Sequence, residues 1–292
     1  GKAMDYDLIT DSCANLTEAL IDELDLPIIP MLFNIGGEEC VSYLKGQHTD
    51  LKQFYDRMRQ KEKVTTSQIN VETFIQTMEP ILEQGKDVLY IAFSSALSGT
   101  CQAANIAADT LRERYPGRKI LVADSLCASM GQGLLVYYAA RQRLAGKSID
   151  EVYQWVIDNR LRLCHWFTVD DLFFLHRGGR VSSASAVLGT MLGVKPVLHV
   201  DDEGRLILVG KTRGRKKSLD QLVEHMVQTV ENPEEQIIFI SHGDAPEDAA
   251  YVEQQVRDRF AVKDIVVNYI DPVIGGHSGP GTVALFFLGS KR

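Results

Sequence analysis

The chain has 292 residues, 45% of them apolar and 24% charged, which is room for two modest domains or one large one of ordinary globular composition. No apolar run approaches the roughly 18 residues a membrane span needs, and a net charge of -8 argues against nucleic acid as a partner. Five cysteines without a CxxC pair supply neither a disulfide framework nor a zinc site, so no metal or cofactor is expected and the cytoplasm is the expected compartment.

No secretory leader is expected before the first strand, and Gly1-Lys2-Ala3 reads as a cloning remnant. Tyr6 to Thr10 reads as that strand, ending in Asp11-Ser12, with a short helix from Thr17 to Leu24. Pro27 to Ile35 reads as one strand, Glu39 to Leu44 as its hairpin partner, and 49–62 and 70–84 as helices. Between those helices Val64-Thr-Thr-Ser-Gln68 reads as a hydroxyl-rich loop. Asp87 to Phe93 is apolar enough for a central strand; Ser94-Ser-Ala-Leu-Ser-Gly-Thr100 follows it and opens a helix from Cys101 to Tyr115. That turn gathers hydroxyls and free N–H groups at the positive end of a helix dipole and suits an anion, although Ser98 or Thr100 could simply cap the helix.

Arg118 to Ala123 is a further strand ending in Asp124-Ser125, an echo of Asp11-Ser12. A helix over 128–145 follows, and Ser148-Ile-Asp-Glu151 is a capping box for another. Alternating strands and helices predict a parallel sheet covered by helices. After residue 163 the pattern changes: Val181 to Leu192 reads as a closely packed helix, and strands at Pro196 to Val200 and Arg205 to Val209 form a hairpin. The expected organisation is an α/β, two-domain chain. Residues 163–271 form a second α/β domain with antiparallel strands, while 1–162 and 272–292 form a discontinuous first domain. Asp271 to Gly281, with four glycines and two prolines, reads as a loop, and Thr282 to Leu288 as a strand returning to the first sheet.

Thr65-Thr66-Ser67, Ser94-Ser95 and Gly276-His277-Ser278-Gly279 are the candidate site clusters, since ligands of such sheets bind outside the carboxyl ends of strands. Gly276 to Pro280 misses the nucleophile elbow GxSxG at its last position, Gly210-Lys-Thr212 lacks the spacing of a P-loop, and there is no HExxH. Lys211 to Lys217 places five cations in seven residues, a solvated face or a docking patch for an acidic or phosphorylated partner.

Six motifs in order carry a resemblance that spans essentially the whole chain. They are Ile9-Thr-Asp-Ser12, Thr65-Thr-Ser-Gln68, Ser94 to Thr100, Leu175-His-Arg-Gly-Gly-Arg-Val-Ser182, Val194-Lys-Pro196 and Gly275-Gly-His-Ser-Gly-Pro-Gly281. The sequence resembles the DegV family of fatty-acid-binding proteins, which includes the subunits that present fatty acids to the bacterial fatty acid kinase. The resemblance implies an acyl chain such as palmitate, stearate or oleate buried between two domains, its carboxylate held by Thr65 or Thr66, Ser94 or Ser95, and His277. It also implies partner docking through Arg180 and Arg213, with transient contact to a membrane surface as a further expectation. Ile69 stands where the family usually has proline, and His176-Arg177 where it has a lysine-rich pair.

Burying a 16-carbon chain would contribute on the order of 12 kcal/mol gross at about 0.8 kcal/mol per methylene, before entropy and reorganisation. A buried carboxylate must be hydrogen-bonded, which accounts for hydroxyls and an imidazole in one place. Two other readings compete with a carrier. One is a lipid-ester hydrolase using Ser95 and His277, which lacks a nucleophile elbow; the other is a DNA-binding regulator using the basic run, which the acidic balance disfavours.

Overall fold

The structure, a computed structural model, describes residues 5–181 and 193–292. The helix expected from Val181 to Leu192 lies, beyond Val181 itself, outside the described residues.

The first strand, β1 (Tyr6–Asp11), leads into α1 (Glu18–Glu23), whose N-cap Thr17 accepts from the Leu20 N–H. The strand expected from Pro27 to Ile35 is two strands. Pro30 has no N–H to give a ladder, and the chain changes sheets there. β2 (Ile28–Ile29) pairs with β1, whereas β3 (Leu32–Ile35) pairs with β4 (Glu38–Val41). α2 (Leu51–Arg59) is capped by Asp50. The hydroxyl-rich loop is then a third strand of that small antiparallel sheet, β5 (Val64–Ser67), in the order β4-β3-β5. β-branched Val64, Thr65 and Thr66 suit a pleated surface, and this outweighs the turn character of the hydroxyls.

α3 (Val71–Glu83), capped by Asn70, packs with α4 (Thr100–Arg114) beside β6 (Asp87–Ala92). β7 (Ile120–Asp124) completes a parallel sheet in the order β2-β1-β6-β7. α5 (Met130–Leu144) follows, and α6 (Ile149–Asn159) carries the expected capping box between Ser148 and Glu151. α5 is buried nearly all round, because it packs on β1 and β6 with one side and on the second large sheet with the other.

That sheet contains β8 (Leu163–Thr168), β9 (Val194–Val200) and β10 (Leu206–Arg213), and α7 (Phe173–Arg177) lies between β8 and β9 in the chain. α8 (Arg215–Thr229), β11 (Ile237–His242), α9 (Pro246–Arg259) and β12 (Asp264–Tyr269) follow. α10 (Pro272–Ser278) and β13 (Val283–Leu288) end the chain, and the strands of this sheet run in the order β10-β9-β8-β13-β11-β12.

Two expectations for the last segment need correction. The glycine-rich stretch after Asp271 is helical over seven residues: Asp271 accepts from the Val273 and Ile274 N–H groups, Pro272 sits at the first turn, and Gly279 at φ 87° stops it. Its glycines serve packing. A side chain at Gly275 would strike the buried Tyr55 hydroxyl, and one at Gly276 would come within 2.6 Å of Val64 Cγ1. Nor does β13 return to the first sheet; it lies antiparallel between β8 and β11. Six buried apolar residues mark it as a central strand but do not say of which sheet. Residues 272–278 therefore reach toward β5 and α2 while 283–288 complete the other sheet, so the chain crosses between the two halves at Gly279–Thr282.

Candidate functional site

Between these layers lies a cavity of about 240 Å³, walled on one side by Phe93 and Leu97 and on the other by Phe167, Leu206 and Phe286. Val273 and Ile274 of α10 close it along one edge. Its surface is mostly apolar, and its polar groups include Thr66, Ser98, Gly99, Arg180, His277 and Ser278.

Alternation along β5 sends neighbouring threonines to opposite faces. Thr65 is exposed, and Thr66 turns toward α10, where its Oγ1 lies 2.8 Å from His277 Nε2. His277 Nδ1 faces Gly178, where a Cβ would come within 2.5 Å of it. Burial and then the Arg180 guanidinium push the His277 pKa down to about 4, so the ring is neutral near pH 7. Arg180 donates to the Gly178 and Leu97 carbonyls, the latter at 3.1 Å, and burial lowers its own pKa. It thus joins the loop after α7 to the turn before α4 while its cation borders the cavity.

The turn after β6 is held by the two aspartates of the repeated Asp-Ser pairs. Asp11 Oδ2 accepts from Tyr90 Oη at 2.5 Å and the Phe93 N–H at 3.2 Å; Asp124 Oδ1 accepts from the Ser95 N–H at 3.2 Å and the Leu126 N–H at 3.0 Å. Burial raises the Asp11 pKa against the opposing pull of these hydrogen bonds.

This turn does not present the serines expected of it. Ser94 is fully buried and donates to the Gly204 carbonyl at 2.9 Å, tying the parallel sheet to the β9–β10 hairpin. Ser95 is exposed and borders a different recess with Cys101, Asp124 and Arg160. Ser98 and Gly99 take their place at the cavity, at the N-terminus of α4. Ser98 belongs to the turn read as suited to an anion, with capping as the alternative, and it accepts from the Thr100 N–H at 3.2 Å. Ser98 and its neighbour Leu97 both line the cavity.

The motifs at β5 and α4 do meet. The Gln68 side chain lies over Gly99, where a Cβ would push its amide group aside, and the Ile69 N–H donates to Thr100 Oγ1 at 3.2 Å. Proline at position 69 could not make that bond. Arg213 ends β10 on the exposed surface, whereas Arg215 of the same basic run turns back to Asp170, Asp248 and the Gly281 carbonyl. Two cavity residues had no motif to announce them, Ser129 at the start of α5 and His165 on β8. Burial holds the His165 pKa well down; its Nε2 accepts from the Ala128 N–H and its Nδ1 pairs with the Leu163 carbonyl. Among the described residues no group of three His, Cys, Asp or Glu side chains is placed to hold a metal, and no helix is long and apolar enough to cross a membrane.

The arrangement can bind an elongated apolar molecule with one acceptor-rich end. Residues 6–290 match the family described as "Uncharacterised protein, DegV family". A DegV domain-containing protein from Clostridium perfringens is 45% identical over 285 residues, 98% of each chain. One from Lactococcus lactis is 36% identical over 288 residues, 99% of each. A solved structure from Thermus thermophilus, described as fatty acid binding of a DegV family protein, has a TM-score of 0.87 at 30% identity over 98% of this chain and 99% of that one. A DegV lipid binding protein from Thermotoga maritima has a TM-score of 0.84 at 26% identity over 99% of each chain. The chain belongs to the DegV family.

Proposed function

We propose that this protein is a carrier that binds one long-chain fatty acid, of the palmitate, stearate or oleate kind, in the cavity between its sheets and presents the carboxylate to a fatty acid kinase in the cytoplasm. The observation that carries the reading is a cavity whose apolar walls lead to the Thr66–His277 pair and the α4 N-terminus. The apolar walls supply affinity in proportion to the methylenes covered. The polar end suits an anion: the Arg180 cation and a neutral imidazole border it, and the helix dipole adds partial positive charge at Gly99. Relatives described as fatty-acid or lipid binding share the fold over nearly their whole length. The kinase step rests on the family resemblance and on exposed Arg213, a guanidinium suited to an acidic or phosphorylated partner.

The hydrolase reading needs Ser95 next to His277, and these two residues border different cavities. The test of the carrier reading is organic extraction of purified protein followed by mass spectrometry, then titration of delipidated protein with palmitate. Fatty acid recovered at about one per chain, together with saturable rebinding, is the expected result. Protein that is empty on extraction and does not bind palmitate would end this reading.

A further inference from the structure

We infer that the Ser278 hydroxyl donates directly to the head group of the bound lipid, as a binding residue beside Thr66 and His277. This rests on the fatty-acid reading above. Ser278 is the last residue of α10 and only 5% exposed. Its Oγ is buried and has no hydrogen-bond partner among the described residues, and the residue is one of those that line the cavity. A serine at a helix end commonly returns its hydroxyl to the carbonyl four residues back, which would have satisfied it without a ligand. Buried hydroxyls are nearly always paired, so one left unpaired in a cavity wall points to a partner that arrives with the ligand.

The neighbouring chemistry says what that partner offers. His277 Nε2 is already engaged with Thr66, Ser98 Oγ pairs with Thr100 Oγ1 at 2.9 Å, and the Arg180 guanidinium can only donate. Ser278 therefore needs an acceptor, and a head group with two oxygens can serve it and the Thr66–His277 pair at once. A carboxylate fits. A fatty alcohol has a single oxygen to share among these donors and lacks the charge that strengthens each bond.

The experiment compares delipidated wild type with Ser278→Ala, using palmitate and 1-hexadecanol as probes, and adds thermal melting of both ligand-free proteins. A hydrogen bond to a charged group predicts palmitate binding about 10- to 100-fold weaker in Ser278→Ala. Hexadecanol binding should change by less than about 3-fold. The ligand-free variant should melt at the same temperature or higher, because an unsatisfied buried hydroxyl has been replaced by a methyl group. Palmitate affinity unchanged within about 2-fold, an equal loss for both probes, or a lower melting temperature would each overturn the assignment and leave the fatty-acid reading standing. Wild type that binds neither probe would remove that reading, and this inference with it.

Discussion

Thr66 Oγ1 and His277 Nε2 lie 2.8 Å apart although 211 positions separate them in the chain, and they meet because β5 and α10 pack edge to edge. α10 can approach so closely only because Gly275 and Gly276 face Tyr55 and Val64. Tyr55 is fully buried and donates to the Ile270 carbonyl at 2.7 Å, so it cannot swing away. Gly275→Ala should therefore destabilise the protein by about 1–3 kcal/mol as an overpacked core position, and should weaken fatty-acid binding by displacing His277. Tyr55→Phe in the same background removes the nearest struck atom, the hydroxyl oxygen, and leaves the ring carbon Cζ 2.8 Å from the added Cβ, so the relief is partial. Chemical denaturation of the four proteins of this cycle should show a favourable coupling of about 0.5 kcal/mol or more. Strict additivity would mean that the clash lies elsewhere.

Ser94 and Ser95 separate a structural hydroxyl from a surface one. Removing the Ser94 hydroxyl leaves the Gly204 carbonyl without its buried partner, so Ser94→Ala should cost about 1–3 kcal/mol of stability. Ser95→Ala should change stability by less than about 0.5 kcal/mol, since the side chain is exposed. Neither substitution should alter palmitate affinity of the folded protein by more than about 3-fold. A larger loss of binding in Ser95→Ala, with normal melting, would return that residue to the binding site.

What could be read from the chain without its structure divides along physical lines. Local signals held: the Ser148 capping box and the hairpin around Gly204 stand where their residues suggest. Thr65 or Thr66 and His277 are candidates because hydroxyl and imidazole clusters lie beside strand and helix ends, where ligands of such sheets bind, but nothing in the sequence chooses between the two threonines. The errors arose where two principles compete. Threonine favours both turns and strands, and Thr65 and Thr66 followed the strand; glycine breaks helices, yet Gly275 and Gly276 sit in one because a neighbour needs the space. The partner sheet of Val283–Leu288 is a long-range choice, and a uniformly apolar strand carries no record of it.

The ligand-free protein should show two opposing acid responses. His277 titrates near 4 when folded against an ordinary 6.5, so the unfolded chain binds the extra proton between those values, and this group's stabilising contribution is lost as pH falls through that window. Asp271 behaves in the opposite sense: burial raises its pKa from 3.8 to about 6, so the folded chain holds the proton and stability rises as pH falls from about 6 to 4. The windows overlap and the two slopes largely cancel. His277→Gln should make the ligand-free protein gain stability on acidification over pH 4–6 relative to wild type, and Asp271→Asn should make it lose stability. Melting temperatures measured across that range check both signs, and parallel profiles for all three proteins would refute the account.

The two arginines expected at a partner surface occupy different environments, and their substitutions should separate accordingly. Arg180 is half-buried, bridges the Gly178 and Leu97 carbonyls and borders the cavity beside His277. Arg180→Ala removes both bridges and the cation nearest the proposed carboxylate, so it should weaken palmitate binding by about 10-fold or more. Loss of acyl-phosphate formation with a fatty acid kinase should accompany it, as a consequence of the lost lipid. Arg213 ends β10 on the surface, and Arg213→Ala should retain wild-type lipid content on extraction while reducing acyl-phosphate formation, with the defect largest at low salt and shrinking as salt screens the attraction that Arg213 supplies. Extraction followed by mass spectrometry reads the first quantity, and acyl-phosphate trapping with hydroxylamine reads the second. Full lipid content in Arg180→Ala with lost phosphorylation would move Arg180 to the docking surface. Normal phosphorylation by Arg213→Ala at all salt concentrations would remove Arg213 from it.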